Sequence, residues 1–200
     1  MKNHISARVK PMRDRVLDWL KDNVPPPRLQ HILGVEQMSG DLARHYHLDE
    51  EKARWAGLMH DLAKCFKPER LLQMAREEGV EIDPVCENTP HLLHADVSAI
   101  VAQHQFGMND PAILEAIRNH TLGRPQMSDL SCVVFISDAL EPSRGESAEL
   151  EALRRMSWEN LYQSVAQTSD YSIRHLLDTR RVIHPRTILT RNWAMQKTKK

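Results

Sequence analysis

The adjacent pair His60 and Asp61 stands in the apolar run WAGLMHDLAK, where Gly57, Leu58, Met59 and Leu62 read as core. A carboxylate buried in such a setting needs a partner charge, a hydrogen-bond network or a metal, because burying it alone is costly. The candidate partners are His31 upstream and His94, His120 and Asp138 downstream, each in or at the end of its own expected helix. His31, His60, Asp61 and Asp138 offer nitrogen and oxygen together. That mixture suits iron, manganese, cobalt, nickel or zinc rather than magnesium or calcium, which favour all-oxygen shells. With His94 and His120 added, the set exceeds what one tetrahedral zinc requires. Either some of these side chains stand behind the first ligands, or two ions share a carboxylate, for which Asp61 is the natural bridge. Two ions held in this way suit the hydrolysis of a phosphoester or phosphoanhydride.

Positioning these side chains is work for helices. On a continuous helix His60 and Asp61 project about 100° apart, so a cavity that receives both must lie deep between helices. The spacing of apolar residues predicts helices over 11–22 and 28–46, with Pro25, Pro26 and Pro27 ending the first, and a third helix capped by Asp49 that carries His60 and Asp61 near its C-terminal end. Further helices are expected over 68–78, 90–105, 110–121, 128–140, 147–156 and 158–180, with 79–89 as a connection and the tail QKTKK frayed. The β-branched run LSCVVFISDAL reads as helix, because no second strand exists to satisfy its backbone. The expected fold is therefore all-α, a single-domain helical bundle. Residues 1–27 form an N-terminal helix and proline-rich turn packed on a core of 28–140, and 141–195 supply C-terminal helices of the same domain.

Composition narrows the function. The 200 residues carry 27 Lys plus Arg against 27 Asp plus Glu, so no global positive field gathers nucleic acid or anionic lipid. A small anionic ligand met by local cations is the expectation. The N-terminal segment has no secretory apolar core and no window is long enough to span a membrane, which points to a cytoplasmic protein. Cys65, Cys86 and Cys132 form no CxxC, so they read as reduced thiols, with Cys132 in the core. No phosphate-binding glycine loop, zincin HExxH or GxSxG elbow is present. His91, His4, His45, His47, His104, His175 and His184 stand in polar surroundings and read as non-ligands, while Trp55, Trp158 and Trp193 read as core rather than as base-stacking platforms.

The pattern of His31, then His60-Asp61, then Asp138 on a helical chain resembles the HD superfamily of metal-dependent phosphohydrolases over residues 28–140. The strings RLQHILGVEQMSGDLA, AGLMHDLAK, LLHADVSA, AIRNHTLGRPQMSDL and SDALEPSR resemble, within it, the bacterial symmetrical bis(5'-nucleosyl)-tetraphosphatases. The resemblance implies hydrolysis of diadenosine tetraphosphate to two ADP by a metal-bound hydroxide at a dinuclear centre, with iron first and manganese, cobalt, nickel or zinc as alternatives. It further implies that His31, His60, Asp61 and Asp138 hold one metal and that Asp61, His94 and His120 hold the second. Lys64 matches the family's phosphate-side lysine. Thr121, Arg124 and Arg144, beside these ligands in sequence, are the other expected phosphate contacts, and Asp61, Lys64, Arg124 and Arg144 form the expected catalytic set. The expected partner is a small dinucleoside polyphosphate or nucleotide, with neither nucleic acid nor membrane and with the oligomeric state left open. Two other functions compete: an HD-type nucleotidase or phosphodiesterase on another nucleotide, and a nucleotide-sensing helical interaction domain without turnover.

Overall fold

The computed structural model describes residues 10–198, so His4 and the first nine residues of the expected N-terminal segment lie outside the described part. Among the described residues there are eleven α-helices and no strand. Among the described residues no helix is long and apolar enough to cross a membrane. The β-branched run is helical, as expected.

Helix α1 (Met12–Asn23) buries Val16 and Leu20 and is tied to α2 (Pro26–His45) by a two-pronged bond in which Arg13 donates to the buried Glu36 at 2.8 and 3.0 Å. Pro26 and Pro27 do not merely end α1. They form the first turn of α2, where a missing N–H costs nothing because it would have had no helical partner. Helix α3 (Glu50–Met59) is capped by Asp49, whose side chain accepts from Lys52 N at 3.0 Å. It lies backbone to backbone against α2 at Gly57, where an added Cβ would meet the Val35 carbonyl at 2.9 Å.

Contrary to the sequence reading, α3 stops before the pair it was expected to carry. From His60 to Cys65 the chain runs in turns, with Lys64 N bonding Asp61 O at 3.1 Å and Phe66 N bonding Ala63 O at 3.0 Å. Ser98 takes up Ala63 N at 3.0 Å. His60 keeps helical dihedrals at the end of α3, and both side chains still reach one buried cluster, with His60 Nε2 3.5 Å from Asp61 Oδ2.

Helix α4 (Pro68–Glu77) and the short α5 (Pro84–Asn88) follow, the latter inside a segment expected to be irregular. Asp83 caps α5 by accepting from Val85 N and Cys86 N at 2.8 and 2.9 Å. A 3₁₀ turn over Pro90–Leu93 leads into α6 (His94–Phe106), which ends at Gly107 with φ of 75°. Helix α7 (Pro111–Asn119) begins at the Asp110 cap and α8 (Asp129–Leu140) at the Ser128 cap. The two helices expected over 147–156 and 158–180 are α9 (Ala148–Glu159) and α10 (Leu161–Asp178), with their junction a few residues later than expected, at Asn160, whose side chain accepts from Gln163 N at 2.9 Å. A final helix, α11 (Pro185–Lys197), replaces the expected frayed tail as far as Lys197 and packs on α10.

Helices α2, α3, α7 and α8 pack around a buried core that includes Ile32, Leu58, Met59, Ile117, Ile136 and Leu140. Cys132 and Cys86 are buried free thiols and Cys65 is exposed. Trp158 departs from its expected core position: it is 42% exposed, while Trp55 and Trp193 pack partly against the core.

Candidate metal centre

Helix α2, the turn after α3, the start of α6, the end of α7 and helix α8 bring six side chains to one buried point, and each imidazole arrives with its outer nitrogen already engaged. His60 Nδ1 bonds the Gly57 carbonyl at 2.6 Å, His94 Nδ1 the His91 carbonyl at 2.5 Å, and His120 Nδ1 the Ile117 carbonyl at 2.7 Å. His31 Nδ1 bonds the carboxylate of buried Glu141 at 2.8 Å. A carbonyl can only accept, so three of the rings must carry their proton on Nδ1, and a carboxylate sets the fourth the same way. All four Nε2 atoms are thereby left as lone pairs facing inward.

They face two carboxylates. Asp61 Oδ2 lies 3.9 Å from His31 Nε2 and 3.5 Å from His60 Nε2, while its other oxygen, Oδ1, lies 3.4 Å from His94 Nε2 and 3.6 Å from His120 Nε2. Asp138 Oδ1 completes the first side, 3.1 Å from His31 Nε2 and 3.6 Å from His60 Nε2. Ligands of one ion with bonds of about 2.1 Å stand about 3.0–3.4 Å apart, close to these separations. His60 Nε2 and Asp61 Oδ1 are buried without a hydrogen-bond partner. Orphaned acceptors of this kind, at metal spacing and of mixed nitrogen and oxygen chemistry, fit a pair of transition-metal ions. Two overlapping groups, His31 with His60 and Asp138, and His60 with Asp61 and His120, each place their atoms within 4.8 Å of one another.

The electrostatics carry the same demand for positive charge. Burial would keep the His60 ring neutral, but Asp61 and Asp138 outweigh it and push its pKa up to about 9. Burial opposes ionisation of Asp61 and Asp138, yet the neighbouring histidines hold both well below the usual carboxylate range. His94 goes the other way: burial and then Lys64 hold its ring well below the ordinary value, leaving it a neutral donor.

Of the residues expected to contact phosphate, Lys64 Nζ stands 3.0 Å from His94 Nε2, and Thr121 Oγ1 lies 3.0 and 2.9 Å from His94 Nε2 and His120 Nε2. Arg144, in the 3₁₀ turn Pro142–Arg144, donates to Asp138 Oδ1 at 2.7 Å and lies 3.3 Å from His31 Nε2. Arg124 is not among the side chains contacting this cluster. It is exposed, bonds Glu115 at 3.4 Å, and lines a separate groove with Asp83 and His184. The reason is the turn at Gly123, with φ of 61°, after which the chain leads to Pro125 and the α11 side.

Two contributors escaped the sequence reading. Arg28 donates to Asp61 Oδ2 at 2.9 Å, and Glu141 orients His31. Each stands three residues from an expected ligand, Arg28 before His31 and Glu141 after Asp138, a spacing that returns to the same helical face. Gly34 makes room for Glu141, because an added Cβ would meet its Oε2 at 2.4 Å. His184 was also misread as unpartnered: it is buried and bonds Asp83 Oδ2 at 2.6 Å. His91 is exposed and contributes its carbonyl rather than its ring.

An all-helical fold with histidines and aspartates gathered from several helices and the turn after α3 defines a known class, and residues 28–143 match the HD domain. Over nearly its whole length the chain is similar to proteins named symmetrical bis(5'-nucleosyl)-tetraphosphatase. The one from Bacillus subtilis is 32% identical across 92% of this chain and 97% of the relative, and that from Halalkalibacterium halodurans is 32% identical across 94% and 99%. A crystal structure described as a predicted HD superfamily hydrolase involved in NAD metabolism, from Clostridium acetobutylicum, superposes with a TM-score of 0.88 at 34% identity, covering 92% of this chain and 97% of that one. The chain belongs to the HD domain family and, within it, to the family of these symmetrical bis(5'-nucleosyl)-tetraphosphatases.

Proposed function

We propose that the protein hydrolyses diadenosine tetraphosphate and related dinucleoside polyphosphates symmetrically, releasing two ADP. The observation that carries this reading is the divided carboxylate of Asp61, one oxygen turned to His31 and His60 and the other to His94 and His120. In the reading, His31, His60, Asp61 and Asp138 hold one ion and Asp61, His94 and His120 hold a second, with residues 28–140 as the metal-binding core and 141–195 as the wall beside it. Two such ions, iron first by resemblance, would supply an activated hydroxide and neutralise phosphoryl oxygens.

The chain's own residues then do the positioning. Lys64 and Thr121 stand on the His94 and His120 side, where they would take up phosphate oxygens near the attacked phosphorus. Arg144, held over Asp138 by its own bond to that carboxylate, would meet charge growing on the departing diphosphate. Arg28, donating to Asp61 Oδ2, would fix the orientation of that carboxylate. Arg124 belongs to a different groove and enters the reading only as a distant contributor to the field. Relatives named as tetraphosphatases over the full length favour this reading over a nucleotidase.

The test is a substrate screen run on anaerobically purified protein whose metals have been counted. The reading expects turnover of dinucleoside tetraphosphates well above that of mononucleotides and cyclic nucleotides, with about two ions per chain. Preferential turnover of a mononucleotide or a cyclic nucleotide would replace it with the phosphatase or phosphodiesterase alternative, and no turnover in metal-replete protein would favour a sensing domain.

A further inference from the structure

Arg144 divides the approach to the metal centre into two grooves. On one side, a groove of about 410 Å³ includes Arg28, His31 and Ser143. On the other, between α8 and α10, a groove of about 330 Å³ runs from Asp138 and Arg144 outward past Tyr171, Ser172, His175 and Leu176. Each groove therefore shares one metal-facing side chain with the centre and shares Arg144 with the other. Ligand sites of drug-sized molecules span about 300–1,000 Å³, so the α10 groove has room for one nucleoside and not for two.

We propose that the α10 groove is a nucleoside subsite in which the base of one half of the substrate lies against the ring of Tyr171. The inference rests on the hydrolase reading above and adds to it the place where a base is held. Tyr171 and Leu176 are half-buried and line the groove, and Tyr171 is packed against the hydrophobic core, so a flat apolar ligand there would meet a ring held in place. Ser172 and His175 put a hydroxyl and an imidazole on the same rim for the polar edges of a ribose or base. At the inner end the Arg144 guanidinium marks where the first phosphates must lie, because it stands 2.7 Å from Asp138. The other groove has no Tyr, Trp or Phe in its lining and places Arg28 near the same centre, a chemistry for the phosphate chain rather than for a stacked base.

The test measures binding of ADP to the metal-loaded full-length protein by calorimetry, beside steady-state kinetics with diadenosine tetraphosphate. Tyr171→Ala is expected to weaken ADP binding roughly 5- to 100-fold, the range for losing one base–aromatic stack, and to raise KM more than it lowers kcat. Tyr171→Phe, which keeps the ring, should recover most of the affinity. Ser172→Trp fills the groove from its rim without removing packed atoms and should weaken ADP as well, which covers the case in which Tyr171→Ala does not fold. Wild-type ADP affinity in folded Tyr171→Ala, or in Ser172→Trp, would overturn the subsite. The binding arm decides this whatever the enzyme cleaves, so a wild-type protein that produced AMP and ATP would sink the symmetrical reading and leave the groove to be judged on its own data.

Discussion

The Nε2 atoms of His94 and His120 lie 3.1 Å apart, while the Nδ1 of each is bound to a backbone carbonyl. Two lone pairs at that distance repel unless a cation, or a donor such as the neighbouring Lys64 or Thr121, stands between or beside them. Lys64 Nζ, 3.0 Å from His94 Nε2, and Thr121 Oγ1, 3.0 and 2.9 Å from the two nitrogens, supply donors there, in a place that a bound cation would also fill.

Metal removal should therefore destabilise the fold. Ions that bind the folded state alone stabilise it by mass action, and at a hundredfold their dissociation constant the loss on chelation corresponds to a drop in Tm of roughly 5–10 °C for each ion in a chain of this size. Differential scanning calorimetry before and after verified chelation checks this, and an unchanged transition would contradict it.

The two sides of Asp61 should be separable. Asp61→Ala is expected to abolish turnover and to lower the content of both ions, whereas His120→Ala should spare more of the ion on the His31 side. Metal analysis of the two purified variants decides the matter; equal loss of both ions in each would remove the assignment of a shared carboxylate.

Most of this site was legible in the sequence because its residues announce themselves by type. A histidine and an aspartate inside AGLMHDLAK have few bland explanations once His31, His94, His120 and Asp138 stand beside similar apolar strings. What the sequence hid was geometry set by local hydrogen bonds. The turn over His60–Cys65 keeps a helical pattern of residues while its backbone closes i to i+3, and α11 starts at a histidine and a proline, His184 and Pro185, that give no apolar signal. Arg124 follows the candidate ligand His120 closely in sequence, yet the left-handed Gly123 sends the chain away from the centre.

That divergence predicts unequal arginines. Arg144→Ala should lower kcat by about 10²-fold, the loss typical of one donor aimed at developing charge, with metal content retained. Arg124→Ala should cost less than a tenth as much. Steady-state kinetics on both variants gives the comparison, and equal losses would return Arg124 to the phosphate path.

The cysteines should separate by reactivity. Burial, and then Asp83, pushes the Cys86 thiol up to about 11, and burial raises Cys132 further, while Cys65 is exposed. A raised thiol pKa leaves less thiolate at a given pH, so at pH 8 the native protein should take up one equivalent of iodoacetamide at Cys65 and the denatured protein three. Mass spectrometry of the peptides reads this directly, and rapid native labelling of Cys86 would contradict its buried placement.

Hydrolysis of diadenosine tetraphosphate in oxygen-18 water, with products separated and weighed by mass spectrometry, bears most directly on symmetrical cleavage at the divided Asp61. The expected result is two ADP per substrate, one carrying a single label on its terminal phosphate and the other none. AMP and ATP as the main products would contradict the account.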